Sequence, residues 1–238
     1  MCTVTWLLAG DSYSVFFNRD ELKTRARALP PQLHEQKGVR YLAPVDPDGG
    51  GAWLGVNQFG LTCGVLNNYA KQNVRSSSFR SRGLLVTSLL DCQSQIEALN
   101  KLPAFSLNQF RPFLLILFAP RRPPVLCTWD GESLRIEDNI DLPVSSSSFD
   151  TLRVVENRRY EFFMLHAQQK TLTPEVLEKF HACHSAKGGA YSVCMHRDDA
   201  QTVSCSRIDV APAKIEFLYT PEAPCQTAER IRITLNRY

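Results

Sequence analysis

The sequence lacks most of the patterns that mark specialised classes of protein. No Cys-x-x-Cys pair occurs among its eight cysteines, which argues against the usual zinc and iron–sulfur motifs. No run of Lys and Arg reaches five residues and the net charge is only +3, so we expect no nucleic-acid-binding face. The most apolar run, 112–120, is far shorter than the roughly 18 residues of a membrane span, so we expect no transmembrane segment.

The start of the chain also lacks the long apolar stretch of a secretory signal, since its first apolar run covers only residues 4–10. We therefore expect a cytoplasmic protein whose thiols stay reduced. The sequence shows neither a repeat nor a linker, and 238 residues predict one domain over 1–238. The oligomeric state is left open by these patterns.

Hairpins dominate the predicted order of elements. One covers residues 2–17 and turns at 10–12; another covers 52–66 and turns at 58–60. Further strands are predicted at 113–119, 125–129, 133–138, 191–196, 202–208 and 213–220. Helices are predicted at 83–91, 93–102, 151–168 and 174–184, the last with Thr173 as N-cap, and loops at 27–38, 46–51, 67–82 and after Thr220. This order predicts an α+β fold, with helices packed outside antiparallel sheets.

Cys2 is the first candidate for chemistry. Initiator methionine is commonly removed before a small residue, and loss of Met1 would leave Cys2 with a thiol and a free α-amine. These groups titrate near about 8.5 and about 7.7–8.0, so one residue would supply both a nucleophile and a base. The alternative is a small buried residue at the start of a strand.

Two further segments would lie near Cys2 in such a fold. The first is Asn18–Glu21 (Asn-Arg-Asp-Glu), whose Arg could stabilise a thiolate and whose carboxylate could hold an α-ammonium. Its alternative is a solvated charged turn. The second is Asn67, which ends the strand 61–66 and could direct an amide donor at a developing oxyanion. Its alternative is a turn-forming Asn beside Asn68.

Together these segments resemble a known family. The shared features are Met1-Cys2, the Asn18–Glu21 string, Gly-Gly-Ala-Trp-Leu-Gly at 50–55, Leu-Asn-Asn-Tyr at 66–69 and Ser-Arg-Gly at 81–83. The sequence resembles the NRDE family, also called the transport-and-Golgi-organisation family, most strongly over residues 1–90. That family in turn resembles the cysteine N-terminal-nucleophile hydrolases, such as penicillin V acylase and bile salt hydrolase.

The resemblance implies a fold and a set of site residues. The fold is a four-layer αββα sandwich of two antiparallel sheets. The residues that the resemblance assigns to catalysis are Cys2, Arg19, Asp20 (with Glu21 as an alternative), Asn67 and, more weakly, Arg207. The residues predicted to bind substrate are Asn18, Glu21, Trp53, Asn68 and Ser146.

The sequence leaves three functions open. The first is hydrolysis of a linear amide C–N bond in a small molecule by Cys2. The second is a non-catalytic carrier of a hydrophobic ligand, haem or an acyl lipid, linked to trafficking. The third is a globular domain whose site has decayed. Ser146 stands where relatives carry an Asn, and a hydroxyl donates only one hydrogen bond, which favours the second and third functions.

No metal site and no bound cofactor are expected. The five histidines are scattered, and no Cys-Pro or Cys-x-x-Cys-His haem motif occurs, so haem enters only as a candidate ligand. His181, Cys183 and His184 cluster in sequence, but on the predicted helix 174–184 their side chains would diverge. We interpret them as surface residues.

Overall fold

A computed structural model describes residues 1–69, 79–169, 171–184 and 189–238. The described strands, in chain order, are β1 (Cys2–Ala9), β2 (Ser12–Leu22), β3 (Leu29–Gln36), β4 (Val39–Val45), β5 (Leu54–Asn57), β6 (Thr62–Asn67), β7 (Phe113–Phe118), β8 (Val125–Trp129), β9 (Leu134–Glu137), β10 (Val144–Ser146), β11 (Ala200–Val210), β12 (Lys214–Thr220) and β13 (Ile231–Asn236). The described helices are α1 (Gly83–Leu89), α2 (Gln95–Lys101), α3 (Thr151–Gln169) and α4 (Pro174–Ala182), with short 3₁₀ turns at Leu102–Ala104 and Leu107–Gln109.

The strands form two antiparallel sheets that pack face to face. One sheet has the order β10-β1-β2-β11-β12-β13 and the other the order β3-β4-β5-β6-β7-β8-β9. Helices α1 and α2 share a buried cluster with the seven-stranded sheet, whereas α3 and α4 share one with the six-stranded sheet. The predicted α+β sandwich of two antiparallel sheets between helices is confirmed.

The core between the sheets is apolar and continuous. It joins Val4 and Phe17 of the first sheet to Leu54, Leu66 and Ile116 of the second. Alternate residues of β1 and β2 enter this core because successive side chains of a strand point to opposite faces. Among the described residues, no helix combines the length and the apolar character that a bilayer crossing requires.

Both predicted hairpins form, β1–β2 and β5–β6, and Thr173 caps α4 by accepting a hydrogen bond from the Val176 N–H at 3.4 Å. Strand β2 is longer than predicted and includes Asn18–Glu21, so this segment lies within a sheet and not in a charged turn.

The secondary structure predicted for three segments was wrong. Residues 29–36 and 231–236 form the edge strands β3 and β13, not loops. Edge strands tolerate Pro and face solvent on one side. Their sequences can therefore be polar and interrupted by proline, which hides the strand pattern. Conversely, 191–196 is not a strand beyond a single bridge at His196. Of the predicted loop 67–82, residues 70–78 lie outside the described part of the chain.

Two glycine-containing motifs meet where β5 approaches α1. The Ala52 N–H donates to the Gly83 carbonyl at 3.3 Å, and a Cβ at Gly51 would lie 2.3 Å from the Gly83 carbonyl carbon. Because that neighbour is backbone, it cannot move aside as a side-chain tip does. The 50–55 and 81–83 motifs are therefore the two halves of one close backbone contact.

We predict that Gly51→Ala lowers the free energy of unfolding by about 2 kcal/mol or more, the cost of overpacking a fixed contact. Chemical denaturation followed by circular dichroism measures the effect. Gly189→Ala is the control, since a Cβ there has no described atom within 4 Å. Equal effects of the two substitutions would contradict the proposed contact.

Candidate active site

The strand register places three of the predicted site residues in one row. Cys2 of β1 pairs with Ser146 of β10 on one side and with Arg19 of β2 on the other. Paired residues of antiparallel strands project their side chains from the same face. The Cys2 thiol therefore lies between the Ser146 hydroxyl and the Arg19 guanidinium, on the face that meets the second sheet.

Arg19 is buried and held from several directions. Its guanidinium carbon lies 4.3 Å from the centre of the Trp53 ring, a cation–π contact between the two sheets. Its Nη2 lies 3.6 Å from Glu21 Oε2 and 3.5 Å from Asp46 Oδ2. A fixed positive charge thus stands directly beside Cys2.

A cleft of about 490 Å³ opens at the end of the two sheets, above this row. Its lining includes Cys2, Arg19 and Glu21 from the first sheet, and Trp53 and Asn67 from the second. One wall carries three arginines, Arg80, Arg82 and Arg111. The structure thus brings Cys2, Arg19, Glu21, Trp53 and Asn67 to one cavity, and Met1 and Asp20 are also part of its lining.

Among the described residues, the three wall arginines contact a backbone carbonyl and aromatic rings. Arg82 donates to the Pro112 carbonyl at 3.1 Å, and Arg80 and Arg111 lie 5.4 Å over the Phe110 and Phe79 rings. By contrast, Arg25 donates to Asp46 at 2.6 Å, in the same acidic group that holds Arg19. One wall of the cleft is therefore cationic, and the opposite one has paired charges.

Asn67 and Asn68 diverge, although they are adjacent. The Asn67 amide, which lines the cleft, donates to the Tyr69 hydroxyl at 2.7 Å. Burial raises the pKa of Tyr69, so its hydroxyl keeps its proton and can donate in turn. The Asn68 amide instead donates to the Trp129 carbonyl at 3.2 Å, and Asn68 is not part of the cleft lining.

Asn18 and Asp20 point to the opposite face of the sheet, towards α3 and α4. The Asn18 amide donates to the carbonyls of His181 at 2.8 Å and Val193 at 3.2 Å. The Asp20 carboxylate accepts from Thr202 Oγ1 at 2.7 Å and from Arg158 Nη2 at 3.3 Å. These two side chains hold the sheet to its helical layer.

Arg207 lies on that outer face as well, away from Cys2. It donates to Glu178 of α4 at 2.9 Å and stacks over Phe16. Its neighbour in β2 is Phe16, three residues before Arg19. The structure does not bring Arg207 to the cleft.

Met1 extends β1 by one residue and is built into the site. Its amine donates to the Asp20 carbonyl at 3.1 Å, and the Asp20 N–H donates to the Met1 carbonyl at 2.9 Å. The Met1 side chain packs with Met195, Ala200 and Tyr69. In the chain that keeps Met1, burial raises the pKa of the Cys2 thiol. The N-terminal charge and Arg19 act in the opposite direction and lower it.

Ser146 completes the row without a partner of its own. Its hydroxyl is buried and has no hydrogen-bond partner among the described residues. The side chain does not line the cleft itself but lies directly beside Cys2. A buried, unpaired hydroxyl next to the thiol is available to a group that reaches Cys2.

Comparisons with known proteins identify the family and the fold. Residues 1–189 match the profile of the family described as Transport and Golgi organisation 2. The chain belongs to this family. No curated protein matches it by sequence at a significant level.

Solved structures of hydrolases share the fold of this family member. Penicillin V acylase from Agrobacterium tumefaciens superposes with a TM-score of 0.60 at 12% identity, covering 98% of this chain and 86% of that chain. A variant of conjugated bile acid hydrolase from Clostridium perfringens gives 0.59 at 11%, covering 99% and 97%. The Caenorhabditis elegans ortholog of N-acylethanolamine-hydrolyzing acid amidase gives 0.57 at 10%, covering 96% and 94%.

Sequence reasoning missed Arg158, although α3 carried a signal for it. Val154, Arg158 and Phe162 are spaced by four residues and are the buried positions of that helix. An Arg within an apolar stripe of this spacing indicates a buried charge that needs a partner. Here the partner is Asp20, and both side chains are fully buried.

We predict that Asp20→Ala lowers the free energy of unfolding by about 3–5 kcal/mol, because it leaves the Arg158 charge buried and unpaired. The double variant Asp20→Leu with Arg158→Met should recover part of that loss, since no charge remains. Asp199→Ala, which removes an exposed carboxylate paired with Arg197, is the control. If Asp20→Ala unfolds like the control, the buried pair is not the anchor described here.

Proposed function

We propose that this family member is a cysteine amidohydrolase that cleaves a linear C–N amide bond of a small molecule, with Cys2 as nucleophile after loss of Met1. The observation that carries the proposal is the row Ser146–Cys2–Arg19 at the base of the cleft. It sets a thiol beside a buried guanidinium and below a cavity large enough for a small ligand.

Loss of Met1 would expose the α-amine of Cys2, which can act as the base. It would also free the Asp20 N–H and carbonyl, which now pair with Met1. A neutral amine with a pKa near about 7.7–8.0 can accept the thiol proton at neutral pH. The nearby Arg19 charge favours the resulting thiolate.

The reaction then balances with groups of this site. The Cys2 thiolate attacks the carbonyl carbon, and the tetrahedral intermediate carries the negative charge on oxygen. The α-ammonium returns its proton to the leaving nitrogen as the C–N bond breaks, leaving a thioester. Water, deprotonated by the same amine, attacks the thioester and releases the acid and the thiol.

Donors at the cleft can stabilise the oxyanion. The Asn67 amide lines the cleft together with Cys2 and donates to the Tyr69 hydroxyl at 2.7 Å. The unpaired Ser146 hydroxyl lies on the other side of Cys2 and offers one more donor. It would take the position that an Asn holds in relatives.

The cationic wall indicates which amides fit. Arg80, Arg82 and Arg111 would pair with a carboxylate or another anionic group of the substrate, because guanidinium binds such groups in a forked geometry. The structural neighbours are named an acylase, a hydrolase and an amidase, which supports a hydrolytic reaction here.

One observation favours a second function, the non-catalytic carrier. Met1 is buried, and it packs as a regular part of β1 and of the cluster around Met195. A chain that keeps Met1 has no free amine on Cys2 and holds a protonated thiol. Such a chain would bind a ligand in the cleft without turning it over.

We predict that a chain beginning at Cys2 reacts with iodoacetamide at residue 2 at least about tenfold faster at neutral pH than a chain that keeps Met1, because only the thiolate reacts. Both forms can be made with a removable N-terminal tag, and peptide mass spectrometry measures the rates. In the Met1 form, labelling should speed up as the pH rises towards the raised pKa of Cys2.

The exposed Cys183 serves as an internal reference in both forms. Equal rates at Cys2 with and without Met1 would contradict activation by the α-amine. Intact mass of the native protein shows which form the cell makes, and retained Met1 there would favour the carrier.

We predict that Asn67→Ala lowers kcat/KM of the Cys2-first form by about 100-fold, the loss seen when one oxyanion donor is removed. The assay measures amine release from penicillin V, a conjugated bile acid and an N-acylethanolamine. Asn100→Ala, an exposed amide on α2, is the control. A Cys2-first chain that binds these amides but neither releases amine nor forms a Cys2 thioester would overturn the hydrolase in favour of the carrier.

A further inference from the structure

A second cluster of reactive side chains lies outside the cleft. It joins four residues from three segments that are distant in the chain: His184 just after α4, Cys194 and His196 before β11, and Cys225 between β12 and β13. None of them belongs to the site described above. The Cys194 N–H donates to the Cys183 carbonyl at 2.8 Å, which fixes the second segment against the first.

Three of the four ligand atoms already form a compact triangle. His196 Nε2 lies 3.1 Å from Cys225 Sγ, Cys194 Sγ lies 3.4 Å from Cys225 Sγ, and Cys194 Sγ lies 3.7 Å from His196 Nε2. Zinc bonds of about 2.3 Å to sulfur and 2.0–2.1 Å to nitrogen at tetrahedral angles give ligand separations of about 3.3–3.8 Å. Two sides of the observed triangle fall within this range, and the third, between His196 and Cys225, is shorter at 3.1 Å.

His184 lies beside this triangle, next to His196 and Cys225. Its ring lies 5.5 Å from the His196 ring, nearly perpendicular to it, and ligand atoms of His184, His196 and Cys225 all lie within 4.8 Å of one another. Because His184 is exposed, its side chain has room to turn, and a turn towards Cys194 would be needed to complete a four-ligand site. The side chains thus supply two thiols and two imidazoles, the donor set of structural zinc sites.

We propose that His184, Cys194, His196 and Cys225 bind one Zn²⁺ as a closed structural site. Two thiolates and two imidazoles would fill the four positions that zinc prefers, leaving none open for a substrate. The ion would tie the end of α4, the start of β11 and the β12–β13 connection together. This inference is independent of the proposed function, because it uses none of the residues that line the cleft.

Metal analysis of the full chain tests the site. Protein purified under reducing conditions should contain about one zinc ion per chain, measured by inductively coupled plasma mass spectrometry. Co²⁺ in place of zinc should give the visible bands of tetrahedral coordination and a thiolate-to-metal band in the near ultraviolet. Cys225→Ser and His196→Ala should each weaken zinc binding at least about tenfold against a chromophoric chelator.

Cys205→Ser is the matched control, since Cys205 is a partly buried thiol on β11 outside the cluster and should leave zinc binding unchanged. If a variant fails to fold, the Co²⁺ spectrum of the unmodified chain decides alone. Folded, reduced protein that binds no zinc would overturn the site. So would a Cys194–Cys225 disulfide that persists in the native protein and, once reduced, still yields no zinc binding.

Discussion

The buried ion pair between Asp20 and Arg158 is the interaction on which the site geometry depends. Both side chains are fully buried, and Arg158 also donates to Thr3 Oγ1 at 2.5 Å, so α3 holds β1 and β2 together. A slip of β2 by one residue would carry Asp20 to the other face and leave Arg158 without a partner. The desolvation cost of that unpaired charge selects the register in which Cys2 pairs with Arg19.

This register divides the string Asn18–Glu21 between two tasks. Asn18 and Asp20 bind the helical layer, whereas Arg19 and Glu21 enter the cleft. A sequence motif that looks like one charged unit is therefore two alternating pairs on a strand. The alternation explains why Arg19 and Asp20, although adjacent in sequence, have unrelated surroundings.

The sequence predicted the parts of the fold that rest on local rules. Both hairpins and the Thr173 cap follow from turn residues, capping chemistry and strand periodicity, whereas the two-sheet architecture was implied by the family resemblance. Edge strands β3 and β13 were missed because a solvent-facing strand has no strong apolar pattern. Their strand pairing comes from the neighbouring β4 and β12, which no local window contains.

Contacts between distant segments also limited the prediction of site residues. Cys2, Arg19 and Asn67 could be named from spacing and resemblance, but the partner of Asp20 lies in α3, far along the chain. The cluster of His184, Cys194, His196 and Cys225 was missed for a related reason. Only Cys194-Met195-His196 carried a local signal, since residues two apart on an extended segment project to the same side. His181, which the sequence grouped with His184, is instead fully buried and bonds to Thr5.

A contact between Met195 and Met1 connects the proposed zinc site to the N-terminus. Thr202 donates to Asp20 and accepts from the Met195 N–H at 2.8 Å, and Met195 lies between the two proposed ligands Cys194 and His196. The Met195 side chain packs on Met1. A metal that fixes Cys194 and His196 therefore also fixes the surface against which the first residue packs. Because Asp20 pairs with Met1 through its backbone and with Thr202 through its carboxylate, the first residue of the chain is held to the same part of β2 that binds Thr202.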